Sequence, residues 1–544
     1  MPLVTFDYKD FIQVLGYDIP KETLIERLPM IGGDFSHVDG DEINIEFFPN
    51  RPDLTSVEGI ARASRAFFGL KTGLQTYQLH PSDVILQVDA SVKPVRPYVT
   101  TALVKNVRMT DELITSLMGL QEKLHVGLGR NRKKVAIGVH NAEPVTPPFT
   151  YKAVDPDAVS FVPLAKDESM TLREILRHHE KGVDYAYLLE SCSKYPLIVD
   201  AHDNVLSFPP IINGTLTEVT PHTKDIFIDV TGTDRKAINY ALNIVTTALA
   251  ERGGTLYQTT VLDEGKKIVS PDFTPLKQKL SVATVNRILG TQLKEKEVET
   301  YLKMMGHNAT NAKGGTLTVE VPSWRPDILH EVDLIEDVAV GYGFDRFETD
   351  FPKAFTFGRT LPHHGFHEQV RSVMIGLGYN EVTTFVISNE KDEAIRLGLP
   401  KKNLVEIENP IGEEYSTLRA SLLSSLLKLL RENRHHPLPQ QIFEVGVIVD
   451  SQAKNRYRLA GMKIDAKAHF TECKALVETL MRECGEKLVI KEATHAAFID
   501  GRCAAVVHNG VDIGVFGELH PKTIQEFSLE YPMIAFELAI DYLS

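Results

Sequence analysis

The stretch Val321-Pro-Ser-Trp-Arg-Pro-Asp-Ile-Leu-His-Glu-Val-Asp-Leu-Ile-Glu-Asp-Val-Ala-Val-Gly-Tyr-Gly-Phe344 concentrates charge on an element whose start and end are both marked. Pro326 lacks an N–H and biases Arg325 away from the helical region, so Trp324 to Asp327 reads as a turn. The spacing predicts a helix from near Asp327 to Gly341 or Gly343. At about 100° per residue, Val332, Ile335, Val338, Ala339 and Tyr342 share one face, while Asp333, Glu336 and Asp337 share the opposite one. The apolar face is expected in a core. The acidic face has two readings. It is a solvated surface favoured by the helix dipole, or, with Asp327 at the turn, a hard-cation site for Mg²⁺ built from carboxylates spaced i, i+3 and i+4.

An internal comparison bears on that choice. Shifting the sequence by 274 positions aligns residues 15–53 with 289–327 without a gap. Leu15, Gly16, Leu28, Met30, Gly32, Gly40, Glu46, Arg51, Pro52 and Asp53 meet Leu289, Gly290, Leu302, Met304, Gly306, Gly314, Glu320, Arg325, Pro326 and Asp327. Both copies read helix, Leu-Gly turn, helix, Gly, strand, Arg-Pro-Asp turn, helix. In the first copy the positions matching Asp333, Glu336 and Asp337 are Gly59, Arg62 and Ala63, so the repeated fold does not require those acids. This favours a function for them in the second copy.

With 544 residues the chain has room for about three or four domains. A hydrophobic fraction of 43% with 24% charged residues is that of a soluble globular protein. The first residues, MPLVTFDYKDF, carry no secretory signature, and no apolar run of membrane-spanning length occurs, so a cytoplasmic protein is expected. Cys192, Cys473, Cys484 and Cys503 have no metal-ligand spacing and are assigned no chemistry. A net charge of −14 argues against a chain that wraps nucleic acid unaided. The sharpest basic run, Gly129 to Lys134, precedes the apolar Val135–Val139 and reads first as a charged turn before a buried strand, with a phosphate-contacting patch as the alternative.

Residues 1–90 form the first repeat unit, ending in a helix for which Thr55 and Glu58 suggest a capping box. From 91 to 267 short apolar strands and turns suggest an α+β domain. Within it, Phe227, Asp229 and Thr231 alternate with Ile228 and Val230 along a strand. If the latter pair faces a core, Asp229 and Thr231 line whatever covers the other face; otherwise they face solvent. A helix is expected from Arg235 to Ala250. The second repeat unit spans 268–347. Residues 352–544 alternate helices, including Leu418–Arg434, with strands suited to an antiparallel sheet; Tyr379–Ser388 is expected as one of these strands.

Together these segments resemble the beta subunit of phenylalanyl-tRNA synthetases of the archaeal and eukaryotic cytosolic type. The likeness is carried by residues 49–63, 129–141, 195–213, 227–234, 322–343 and 408–423. The resemblance implies an α+β multidomain fold: two winged-helix-like repeat units, a middle tRNA-editing domain, and a C-terminal class II synthetase-like antiparallel sheet with flanking helices. It implies Mg²⁺ on Asp327, Asp333, Glu336 and Asp337, and an editing pocket lined by Leu197, Ser207, Asp229 and Thr231. It further implies an (αβ)₂ assembly with an alpha subunit that binds ATP and phenylalanine, and tRNA(Phe) as substrate. A class II catalytic sheet needs arginines facing the ATP phosphates. Neither Ile442–Val449 nor Pro532–Leu538 contains one, so adenylation is expected in the alpha subunit. No inserted OB-fold follows the first unit, and no bacterial-type anticodon-binding extension follows Ser544, so much of the tRNA contact is expected on the partner.

Two readings from other classes compete with this one. A stand-alone aminoacyl-tRNA deacylase would have no use for the long synthetase-like region. A winged-helix nucleic-acid-binding protein would have its phosphate contacts opposed by Asp333, Glu336 and Asp337.

Overall fold

The computed structural model describes residues 2–311, 314–351, 356–401 and 404–542. The chain divides into two compact units, Met1–Asp350 and Phe351–Ser544, and each is described by itself.

The repeat appears in the first unit as two copies of one topology. The first has helices Tyr8–Leu15, Lys21–Arg27 and Val57–Phe67 around a sheet ordered Leu3–Asp7, Glu42–Phe47, Gly33–Asp39. The second has helices Val282–Leu289, Glu295–Met304 and Glu331–Tyr342 around Leu276–Ser281, Thr316–Val321, Asn308–Asn311. Matched glycines explain why the pattern survives in sequence. Gly16 and Gly290 end their helices at φ 75° and 69°, a left-handed conformation in which a Cβ is strained.

The last helix of the second copy departs from expectation at its start. It begins at Glu331 with His330 as N-cap, so Asp327 lies in the preceding turn. Val332 is 47% exposed while Leu334 is buried, and Asp337 is buried rather than solvated. In the first copy the cap is Ser56, whose hydroxyl accepts the Gly59 N–H, because Pro52–Leu54 forms a 3-10 turn that carries Thr55 with it. Each repeat keeps its own apolar core, yet Met305 and Val340 of the second pack into the core of the first.

Two large sheets lie between the repeats in sequence, together with a small two-stranded one of Ser160–Phe161 and Met170–Thr171. One has seven strands, from Ile212–Asn213 at one edge to Lys266–Ser270 at the other. The second has five, with Ile226–Gly232 between Tyr98–Lys105 and Val135–Asn141. These sheets also take up Leu79–His80 and Ile85–Val88, so the middle region begins earlier than expected. The alternation along Ile226–Gly232 holds. Ile226, Ile228 and Val230 pack with helices Asp111–Val126 and Arg235–Glu251, and Phe227 packs with Phe149, Tyr151 and Leu206 of the larger sheet.

The second unit contains a seven-stranded sheet. Its order is Asn380–Glu381, Gln440–Val449, Asn455–Ile464, Met533–Ala539, Val511–Leu519, Phe498–His508, Ile490–Glu492. All neighbours are antiparallel except the edge strand Asn380–Glu381. The expected strand over 379–388 is two short pieces, Asn380–Glu381 and Ile387–Ser388. The expected helix from Leu418 is confined to Leu423–Glu432, because Thr417–Leu418 pairs as a strand. Among the described residues, no helix is long and apolar enough to cross a membrane.

Candidate functional site

Asp229 and Thr231 do not face solvent. They line a cavity of about 320 Å³ with Ser207, Gly138, Val139, Ile212 and Thr217. Asp229 is 1% exposed, and its Oδ2 lies 2.7 Å from His140 Nε2 and 3.5 Å from Ser207 Oγ. His140 Nδ1 is in turn 2.8 Å from Thr217 Oγ1, so Thr217, His140 and Asp229 form a hydrogen-bonded row. Asp229 is registered against Gly138 on the neighbouring strand, and a Cβ there would sit 2.1 Å from Asp229 Oδ2 and 2.6 Å from His140 Nε2. Gly138 is thus what lets the carboxylate and imidazole meet. Thr231 is fixed by Arg96, whose Nε donates to its hydroxyl at 2.9 Å and whose Nη2 donates to its carbonyl at 2.7 Å. Burial lowers the Arg96 pKa to about 10, which leaves it cationic at neutral pH. Leu197 is placed elsewhere. It packs with Tyr195, Val205, Phe208 and Ile175, on a part of the sheet that helix Leu172–His178 covers and makes apolar.

The cavity is also lined by groups that sequence reasoning did not single out as site residues. Glu122, His125 and Met118 come from helix Asp111–Val126, Lys181 from helix Glu180–Tyr185, and Arg132 from the basic turn. Arg132 donates to Ile211 O at 2.8 Å and Glu122 Oε1 at 2.7 Å, and lies 4.3 Å from the Tyr185 ring centroid. His125 and Arg132 hold the Glu122 carboxyl down at about 2, although burial opposes the shift. Ile137 N–H donates to His125 Nε2 at 2.8 Å, and burial lowers the His125 pKa, which keeps the ring neutral. Signals for some of these groups were present in the sequence: Arg132 lies in the basic run, and His140 lies in the segment 129–141. What the sequence lacked was the register that brings them to Asp229.

A family model described as the phenylalanyl tRNA synthetase beta chain CLM domain matches residues 348–540, and one described as the tRNA synthetase B5 domain matches 278–344. The chain is 44% identical to the phenylalanine–tRNA ligase beta subunit of Methanothrix thermoacetophila over 99% of its own length and 100% of that protein. The chain belongs to the phenylalanine–tRNA ligase beta-subunit family. It is also 44% identical to the beta subunit of Archaeoglobus fulgidus, over 99% of this chain and 98% of that one. The crystal structure of an N-terminal fragment of the Pyrococcus horikoshii phenylalanyl-tRNA synthetase beta subunit is similar at TM-score 0.61 and 34% identity. That likeness covers 63% of this chain and all of the fragment.

For a ligase beta subunit, the four carboxylates of the second repeat were expected to hold Mg²⁺. As arranged they do not fit one ion. Arg325 Nη2 donates to Asp327 Oδ2 at 2.7 Å and to Asp337 Oδ2 at 2.9 Å, so a guanidinium occupies the position between those two acids. His307 Nε2 donates to Asp337 at 2.6 Å. Asp333 Oδ2 accepts the backbone N–H of Leu329 and His330, both at 2.7 Å, as part of the helix cap. Glu336 is exposed. Among the described residues, no three His, Cys, Asp or Glu side chains are grouped to hold a metal. Burial raises the Asp337 pKa, but Arg325 and then His307 outweigh it and hold the carboxyl far below its usual range.

The beta-subunit sheet of the second unit is likewise closed to phosphate. Arg419 is 2% exposed, with Nη2 donating to Glu444 Oε1 at 2.8 Å, Nη1 to Thr384 Oγ1 at 2.7 Å and Nε to Val447 O at 2.8 Å. On the strand Met533–Ala539, Glu537 accepts from Ser421 Oγ at 2.6 Å and Leu422 N at 3.0 Å. The buried Glu444 carboxylate would repel an ATP phosphate, and Arg419 is already paired with it.

Proposed function

We infer that this chain is the beta subunit of a cytoplasmic phenylalanine–tRNA ligase. With an alpha subunit, in an (αβ)₂ assembly, it takes part in the ATP-dependent attachment of phenylalanine to tRNA(Phe), and the cavity in its middle region hydrolyses tyrosyl-tRNA(Phe). Adenylation belongs to the partner. The divalent cation that accompanies ATP chemistry belongs there with the phosphates, not on Asp327, Asp333, Glu336 and Asp337. The observation that carries the hydrolytic reading is the buried Asp229, paired with His140, in the wall of the cavity.

Phenylalanine and tyrosine differ by one hydroxyl, and an apolar synthetic pocket rejects an added hydroxyl poorly, so a second, hydrolytic sieve is needed. Asp229 Oδ2 is engaged by His140, leaving Oδ1 to accept the phenol O–H. A phenylalanyl ring would leave that buried carboxylate without its donor, which selects against the correct product. With the ring seated on Asp229, the ester lies toward Arg132, Glu122 and Lys181. Water adds to the ester carbonyl, the bond to the ribose oxygen breaks, and that oxygen leaves with a proton. An Asp229→Ala subunit should lose tyrosyl-tRNA(Phe) hydrolysis while the assembled enzyme still phenylalanylates. Unchanged hydrolysis, with the fold intact, would remove Asp229 from the site. Phenylalanine-dependent pyrophosphate exchange by the pure chain would overturn the assignment of adenylation to the partner.

A further inference from the structure

The basic turn beside the cavity has an unusual backbone. Arg130, Asn131 and Arg132 are consecutive residues in the left-handed region, at φ 48°, 53° and 64°, a conformation that costs energy at each residue bearing a Cβ. The turn sends Arg132 inward to the cavity wall. Arg130 and Lys133 remain exposed, with no side-chain ion pair or hydrogen bond among the described residues. Tyr187, 53% exposed, reaches across to Asn131 O at 3.4 Å. Lys133 and Tyr187 line a surface hollow of about 320 Å³ together with Arg96, Thr233 and Pro210, and Pro210 also lines the main cavity. Among the residues lining the hollow, no acid offsets Lys133 and Arg96. Asp234 is paired with Lys134 at 3.2 Å, and Asp184 and Glu190, on the segment that carries Tyr187, are not among the residues lining the hollow. On a chain of net charge −14, this is a local positive face with an aromatic ring set beside it.

We propose that this face binds the single-stranded 3′ end of the tRNA: Arg130 and Lys133 pair with its phosphates, Tyr187 stacks on an unpaired base, and the terminal ribose is led to the mouth of the cavity. Single-stranded RNA is held by this combination of backbone cations and an aromatic platform, whereas an acidic protein segment would have no use for the ring. The proposal rests on the deacylation reading of the cavity.

The test uses the full chain and a fluorescent acceptor-stem minihelix, either with a single-stranded 3′ end or blunt. The variant R130G/K133Q removes both charges while glycine keeps the left-handed turn, and Tyr187→Ala removes the ring. Each should weaken binding of the overhanging minihelix about tenfold, and the charge variant should flatten the salt dependence by about one logarithmic unit per lost contact. The blunt minihelix should bind parent and variants alike. In the assembled ligase, KM for tyrosyl-tRNA(Phe) hydrolysis should rise by the same factor with kcat unchanged. Unaltered affinity for the overhanging minihelix would overturn the proposal. So would a fall in kcat at constant KM, which would mean that the turn only props the cavity wall. A parent enzyme that binds through these residues but does not deacylate would instead overturn the deacylation reading alone.

Discussion

Among its described residues, the first unit contains two buried aspartate–histidine pairs of nearly the same length, Asp229–His140 at 2.7 Å and Asp337–His307 at 2.6 Å. Their surroundings differ. Asp337 also receives Arg325, which is itself shared with Asp327, and the hollow beside that guanidinium is a crevice of about 30 Å³. Asp229 receives no guanidinium and opens on a cavity ten times larger. A buried carboxylate can have all its acceptor positions filled by the protein, in which case it is a structural cross-link. It can also keep one free toward a cavity, in which case it recognises a donor brought by a ligand.

The largest effect that separates the two pairs should come from Asp337→Ala. It leaves His307 Nε2 without its acceptor and Arg325 with Asp327 alone, and a loss of about 3 kcal/mol is expected in urea unfolding. A loss under about 1 kcal/mol would remove the distinction. Asp229→Ala should leave the fold in place and cut tyrosyl-tRNA(Phe) hydrolysis by about 10²–10³-fold in a deacylation assay. Gly138→Ala sharpens the comparison, because its new Cβ displaces Asp229 without removing any functional group. Hydrolysis should fall by about 10²-fold while binding of the minihelix persists, and a fully active variant would show that the Asp229–His140 geometry is dispensable.

Two smaller effects follow. The His125 pKa is depressed by burial, so its neutral, Ile137-bound form stabilises the cavity wall above the unfolded value of about 6.5 and is lost as pH falls below it. Stability should decline there by up to about 1.4 kcal/mol per pH unit, and His125→Gln should flatten that limb in unfolding experiments between neutral and mildly acid pH. Smallest of all, Asp333→Ala/Glu336→Ala should cost about 1 kcal/mol through the helix cap, with subunit assembly and its response to Mg²⁺ like the parent. A lost Mg²⁺ response in this variant would restore the metal reading.

What the sequence disclosed and what it concealed divide along one line. The repeat was visible because its turns need glycine or proline at fixed positions, as at Gly16, Gly290, Pro52 and Pro326. The alternation of Asp229 and Thr231 with Ile228 and Val230 was visible because a strand has period two. Both are local rules. The partner of a charge is not local: nothing in the order of residues says that Arg325 turns back onto Asp337, twelve positions on, or that His140 meets Asp229 across two strands. Helical periodicity put Asp333, Glu336 and Asp337 on one face, but the cap took Asp333 and the guanidinium took Asp337. The first copy shows why one of the three acids is missing there. At Gly59, the counterpart of Asp333, a Cβ would lie 1.8 Å from Asp53 O, so that position admits no side chain at all.

The way each Arg-Pro-Asp turn closes on itself has a consequence for synthesis. Arg51 grips Asp53 with two hydrogen bonds, at 2.8 and 2.9 Å, and Arg325 grips Asp327 in the same manner. The crevice between the repeats brings Arg51, Asp53 and Arg325 together, although 274 positions separate matched residues. At typical translation speeds the first turn leaves the ribosome roughly 15–55 s before the second exists. Through that wait Arg51 and Asp53 neutralise each other over a span of three residues, so neither stands as a lone charge until the second turn arrives.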